Sequence, residues 1–348
     1  MNPRADPLID QAATAFEQGD FERAVALTTD ALKAQPKNAD ALHLRAAAHF
    51  EAGELDRSLE DWRAAHKLAP DDLEVLLGLC DLLLVHHGEE RERVEEALGL
   101  CERGAKRAAK ADDVELEFEF LLLAGTGLNQ LGECKRGLEV LDRAQALCPG
   151  STDAALERGI ALFELCRFDD AKRVFEEVLQ KEPADPFALH HLGLLAERRG
   201  ELAAAKDHFE RAQRLAPDDF PPPVTLPDGD FDAAVEDAIA RLPDNVREYL
   251  DNTTIAVEPL PSDEDLTSDE PPLSPTILGV FRGTPVGERS VTNAFDHVPA
   301  QICLYQRNLE RFARTREELL EQIGITIMHE VGHLIGLDEH DLWERGLE

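Results

Sequence analysis

Fifteen residues near the end of the chain, IMHEVGHLIGLDEHD (327–341), concentrate side chains able to do chemistry: His329, Glu330, His333, Glu339 and His340, with Asp338 and Asp341 beside them. His329 and His333 are four apart. On a helix that spacing turns about 40° around the axis, so both imidazoles face one way and can share a single metal ion. Glu330 is turned to the side of the pair, where a carboxylate can hold a water beside the metal without ligating it. Zinc lowers the pKa of such a water towards neutrality, and the carboxylate takes its proton as the oxygen attacks a carbonyl. The expected roles are metal ligation by His329 and His333 and general-base catalysis by Glu330. The competing reading is a solvated helix face, which the apolar neighbours Ile327, Val331 and Leu334 disfavour.

The third ligand has little chain from which to come, because only fifteen residues follow His333. Gly336 is placed to end the helix and turn the chain back towards the metal. Three residues beyond it is Glu339, a carboxylate that zinc accepts as a third ligand. His340 is the runner-up, and Asp338 and Asp341 remain further alternatives. Metzincin-type sites carry a histidine at the position of Glu339 and a later methionine turn. Here the only methionines are Met1 and Met328.

These residues need a rigid carrier. TREELLEQIGITIMHEVGHLIG opens on Thr315 with Glu318 three residues on, a helix-capping pattern. It continues with an apolar stripe of Leu320, Ile323, Ile327, Val331 and Leu334. Upstream, FDAAVEDAIARLPDNVREYLDN reads as an amphipathic helix, with Phe231, Val235, Ile239 and Leu242 on one face, followed by a second short one. Residues 253–260 and 277–286 read as strands, and a third strand starts near Gln301. PSDEDLTSDEPPLSPT is acidic and proline-rich and reads as a loop. Together these predict a small α+β domain over 231–348, with three short strands backing one long helix.

The first two-thirds of the chain is periodic. Gly19 and Gly53 are 34 apart, as are Pro36 and Pro70; Pro149, Pro183 and Pro217 repeat the interval, and so do Gly132, Cys166 and Gly200. Small residues recur at Ala24, Ser58, Gly137, Ala171 and Ala205, and again at Ala31, Ala65, Ala144, Val178 and Ala212. Each unit reads as two antiparallel helices joined by a tight turn and stopped by a proline, and units must stack to bury their apolar faces. The pattern resembles the tetratricopeptide repeat over about residues 5–219, with six repeats, the third irregular. The resemblance implies an all-α solenoid that holds a protein or peptide partner in its groove. The paired histidines His86-His87 and His190-His191 point about 100° apart on a helix and read as packing or solvated residues. Pro221–Pro223 mark a stiff linker over 220–230.

The segments quoted from 231–348, with ILGVFRGTPVGERS and ICLYQRNLERF, resemble the small zincin-like metallopeptidase domain of bacteria, also called the minimal metalloprotease family. The resemblance implies one Zn2+ per chain, peptidase chemistry and an acidic ligand at the Glu339 position. It also implies that the strand Ile302–Tyr305 pairs with extended substrate. Tyr305 reads as a packing residue, and no role is assigned to Arg282, Arg289 or His297. The alternative function is a tetratricopeptide adaptor with a structural or nearly inactive zinc domain, in which Glu339 and His340 both bind and close the site.

Composition narrows the partners. Acidic residues number 71 against 36 basic ones, a net charge of −35, which repels phosphate backbones and anionic membranes. Nucleic acid and membrane surfaces are therefore not expected partners. Solubility is the simplest consequence of that charge, and a bias towards basic clients is another. No signal-like N-terminus or membrane-length apolar run is read, and the six dispersed cysteines form no CxxC pair, so a reduced, cytoplasmic protein is expected.

Overall fold

The computed structural model describes residues 6–85, 90–227, 229–250, 253–268, 270–285, 300–338 and 341–342. Twelve helices come first, in six consecutive hairpins. They are α1 (Asp6–Glu17) with α2 (Phe21–Ala34), α3 (Ala39–Glu51) with α4 (Leu55–Leu68), and α5 (Leu73–Val85) with α6 (Arg91–Lys110). Then follow α7 (Val114–Gln130) with α8 (Cys134–Leu147), α9 (Thr152–Glu164) with α10 (Phe168–Lys181), and α11 (Pro186–Arg198) with α12 (Leu202–Leu215). The array is a tetratricopeptide solenoid, as its period predicts. The irregular third unit owes its length to α6, which runs for 20 residues. His86 and His87 lie outside the described residues.

The turn inside each hairpin follows from backbone sterics. Gly53, Gly132 and Gly200 sit at φ of 75°, 73° and 73°, a left-handed conformation that side chains disfavour. In each case the glycine and the residue after it donate N–H groups back to the last turn of the first helix, as in Gly200 to Glu197 and Glu201 to Ala196. Cys166 occupies the same position in the fifth unit at φ 55°. The left-handed region costs an L-residue about 1–2 kcal/mol. Replacing Cys166 by Gly is expected to raise unfolding stability by about 1 kcal/mol, read from urea denaturation midpoints.

Close packing accounts for the recurring small residues. Ala24, Ala31, Ala65, Ala144, Ala171 and Ala212 are all fully buried. Gly159 and Gly193 lie directly against the rings of Phe175 and Phe209, where an added Cβ would approach within 2.6 Å. This ring-on-glycine pairing keeps the same 34-residue interval (159 to 193, 175 to 209) and brings the two helices of a hairpin together.

By its contacts the chain divides into two compact units, Met1–Leu162 with Arg173–Lys181, and Phe163–Lys172 with Glu182–Glu348. The second unit contains α11, α12 and everything after them. In it α13 (Asp230–Arg241) and α14 (Asp244–Leu250) precede β1 (Thr254–Glu258), and α15 (Asp263–Leu266) precedes β2 (Gly279–Arg282). Then come β3 (Gln301–Tyr305), α16 (Gln306–Phe312) and α17 (Arg316–Leu334).

The sheet order is β1-β3-β2, with β1 parallel and β2 antiparallel to β3. The central strand is the one whose residues Ile302, Cys303, Leu304 and Tyr305 are fully buried. Ile302 and Leu304 face a core built with Phe231, Val235 and Ala238 of α13 and Ile323, Ile327 and Val331 of α17.

Two expectations change here. The strand Ile302–Tyr305 has both edges occupied by β1 and β2, so it cannot pair with a substrate; among the described residues β2 and β1 form the sheet edges. The acidic segment is not wholly loop either. Ser262 and Asp265 cap each other reciprocally and start α15, a local side-chain bond that outweighs the poor helix composition. Among the described residues, no helix is long and apolar enough to cross a membrane.

Candidate functional site

The long helix α17 carries His329, Glu330 and His333 in its last two turns. Thr315 accepts the Glu318 N–H and starts the helix as the capping pattern predicts. The helix ends at Leu334 with two reversing bonds, from Gly336 N–H to the His333 carbonyl and from Leu337 N–H to the Gly332 carbonyl. Gly336 allows this turn by adopting φ 90°. The returning chain then packs Leu342, fully buried, against the helix at Gly332.

That reversal has a chemical consequence. It brings the Leu337 carbonyl to 3.1 Å from His333 Nδ1. A carbonyl only accepts, so Nδ1 carries the proton and Nε2 presents its lone pair. His333 Nε2 lies 3.2 Å from His329 Nε2, with the two rings at 82° to each other. Two nitrogens at 2.0–2.1 Å from one tetrahedral zinc are separated by about 3.3 Å. The separation matches that of two nitrogens on one metal ion, and the carbonyl behind His333 is the kind of support that metal-bound histidines use.

Glu330 is only 5% exposed. Its carboxylate lies between α17 and the edge strand β2, with Oε1 3.4 Å from where a Cβ on Gly279 would stand. A side chain at residue 279 would also press on Thr326 and on the Cys303 carbonyl. Glycine at this point lets the helix approach the strand. No sequence signal marked Gly279 as part of the site, because its role depends on the register of β2 against β3.

Among the described residues, no three His, Cys, Asp or Glu side chains are grouped to hold a metal ion. Glu339 and His340, the expected third ligand and its runner-up, lie outside the described residues, as do Arg289 and His297. Asp338 and Asp341 are described, and each accepts the other's backbone N–H, at 2.8 Å and 3.4 Å. Their carboxylates shape the turn that follows the helix.

Arg282 and Tyr305 are placed elsewhere. Strand alternation puts them on the sheet face opposite α17. Arg282 forms paired bonds with both Glu258 and Asp265, and Tyr305 donates to Asp265 at 3.1 Å. Burial raises the Asp265 pKa, but bonds from Arg282 and Ser262 outweigh it and hold it at about 2. Burial pushes the Tyr305 phenol up. This network ties the acidic segment to that face, away from the histidine pair. It keeps Tyr305 a packing residue.

Replacing Gly336 by Ala is expected to strain the turn and shift the Leu337 carbonyl from His333. Loss of such a support typically weakens metal affinity about 10–100-fold, which a competitive chelator titration would read.

Residues 250–347 match the family described as zincin-like metallopeptidase. Residues 15–60 and 156–220 match tetratricopeptide repeat families. Hsp70-Hsp90 organizing protein 2 of Arabidopsis thaliana is 23% identical over 213 residues, 58% of this chain and 34% of that protein. DnaJ homolog subfamily C member 7 of Homo sapiens is 23% identical over 216 residues, 62% of this chain and 44% of that protein. The chain thus spans less than half the length of these curated relatives. Among solved structures, PilW, described as a widely conserved type IV pilus biogenesis factor, aligns with a TM-score of 0.53 at 20% identity, covering 63% of this chain and 96% of that one. PilF of Pseudomonas aeruginosa aligns with a TM-score of 0.50 at 20% identity, covering 62% and 92%. These two likenesses carry the repeat fold alone. The repeats imply protein or peptide binding, and the C-terminal match makes metallopeptidase chemistry the reading to test.

Proposed function

We propose that this pairing of tetratricopeptide repeats with a zincin-like metallopeptidase segment is a zinc-dependent peptidase whose repeats recruit the protein to be cut. The domain limits proposed are 5–219 for the repeats, 220–230 for the linker and 231–348 for the peptidase, and the compartment is the cytoplasm. The observation that carries the reading is the 3.2 Å approach of the His329 and His333 Nε2 atoms, on the same helix as Glu330, whose carboxylate is buried against β2.

In this reading His329 and His333 would hold the metal and Glu339 would complete the set, with His340 as the other choice. Zinc supplies Lewis acidity, which acidifies a water and polarises a peptide carbonyl. Glu330 takes the proton of the attacking water and delivers it to the leaving amine. The low exposure of Glu330 and the packing of β2 over it keep that carboxylate in one orientation through both transfers. The edge of β2 is the strand beside Glu330 to which an extended peptide can add.

The test is metal content together with turnover. Purified protein is expected to hold one zinc per chain and to cleave members of a peptide library, with cut sites read by mass spectrometry. Zinc bound without cleavage of any peptide would favour the adaptor reading, in which Glu339 and His340 both ligate and close the site. Absence of any transition metal would end both.

A further inference from the structure

We propose that a groove between the last repeat and α16 is a docking site for a peptide that carries an apolar anchor next to a single carboxylate. The groove encloses about 630 Å³, within the range of ligand-binding clefts. Its sides are α12, the Pro221–Pro223 segment and α16, and all of it lies in the second compact unit.

Its walls are apolar and stiff. Phe220 stacks on His190 at 4.4 Å, and the Phe209 ring lies tilted to the same imidazole at 5.4 Å. Burial, with neighbouring His191 and Arg311, pushes His190 down to about 3, so this part of the wall is uncharged at neutral pH. Leu202 is 53% exposed at the rim, an apolar side chain with no cover. The prolines pre-set an extended backbone that loses little freedom when a ligand settles on it.

The charges decide the ligand. The lining holds four cations, Arg307, Arg311, Arg314 and Lys206, against the carboxylates of Glu197, Glu210 and Asp219. The chain as a whole has about two acids for every base, 71 to 36, so the balance is locally reversed. Arg307 and Arg311 share one carboxylate, that of Glu197, at 2.7 Å and 2.5 Å. Arg311 also lies over the Phe209 ring at 5.0 Å. Lys206 faces Glu210 at 3.8 Å. Among the described residues no carboxylate pairs with the Arg314 guanidinium, which reaches the Asp218 carbonyl at 3.4 Å, while the Glu318 carboxylate takes the Arg314 backbone N–H. One cation is therefore in excess, at the mouth of an apolar slot. A single carboxylate satisfies it, whereas a polyanion would meet the net charge of −35 around it.

The position suits a client-holding site. Arg314 precedes α17, and His329 lies 13 residues beyond Arg316, about 20 Å along the helix. A tether of about six extended residues spans that distance. Docking itself does not depend on hydrolysis.

The test uses full-length protein and fluorescein-labelled, end-blocked peptides read by anisotropy. The probe is Gly-Ser-Trp-Leu-Asp-Gly, with Asp→Asn and Trp-Leu→Ala-Ala versions as controls. Saturable binding is expected for the first, with Asp→Asn weakening it about fivefold. Arg314→Gln is expected to weaken the Asp probe by the same factor and leave the Asn probe unchanged, the signature of a direct pair. Leu202→Asp is expected to weaken both by about tenfold. Equal affinity for Asp and Asn probes, an Arg314→Gln effect that does not distinguish them, or no saturation at millimolar peptide would overturn the proposal. Lost probe binding with intact hydrolysis counts against the groove alone. Retained binding without hydrolysis counts against the peptidase alone.

Discussion

Glu330→Gln is expected to keep one zinc per chain and to lose peptide hydrolysis by about 10²–10⁴-fold, the usual contribution of a general base. The substitution changes one oxygen for an amide and leaves volume almost unaltered, so the packing between α17 and β2 stays. That packing is tight: Glu330 is 5% exposed, and Thr326, one turn earlier on the same face, abuts Gly279. An amide cannot take a proton from water at neutral pH, so only the transfer fails. Two measurements separate the outcomes. Metal content by mass spectrometry asks whether Glu330 is a ligand, and cleavage of the peptide library asks whether it is the base. Full hydrolysis by the variant would move the base to another residue, and loss of zinc would make Glu330 a ligand.

The second large effect is on the metal. His333→Ala is expected to reduce bound zinc from one per chain to a trace and to abolish hydrolysis with it. The reasoning is geometric. His329 and His333 bring two Nε2 atoms to 3.2 Å, and His333 is the one oriented by the Leu337 carbonyl. In the proposed set of His329, His333 and Glu339, removing His333 leaves two protein ligands, one fewer than a catalytic zinc site uses. On the proposed reading zinc binds only the folded chain, so its loss also removes the stabilisation it would add, and wild-type protein with chelator is expected to melt like the variant. A variant that retained stoichiometric zinc would place the ion elsewhere.

Much of this protein was legible in its sequence, and for local reasons. The 34-residue interval announces a helical repeat because each turn needs a left-handed residue and each hairpin needs small side chains at the same height. The four-residue spacing of His329 and His333 places both on one helix face by backbone geometry alone. Thr315 and Gly336 mark where that helix starts and stops, because capping and reversal depend on the few residues beside them. The short helix α15 was missed because a Ser262–Asp265 capping bond decided it against a composition typical of loops.

Tertiary structure decided what no local pattern encodes. Strand order is one case: β3 became the centre of the sheet through partners 47 residues before it and about 20 residues before it on the other side, as in Thr254 with Gln301 and Arg282 with Gln301. That pairing closes β3 to substrate, turns Tyr305 and Arg282 away from the histidines and makes Gly279 the contact beside Glu330. The groove is another case, since Arg311 and Arg314 meet Phe209 and Leu202 only when distant segments fold together. Periodicity and spacing fix which face a residue occupies, because those follow from the backbone repeat. Which partner covers that face follows from long-range packing and charge pairing, which only the folded chain contains.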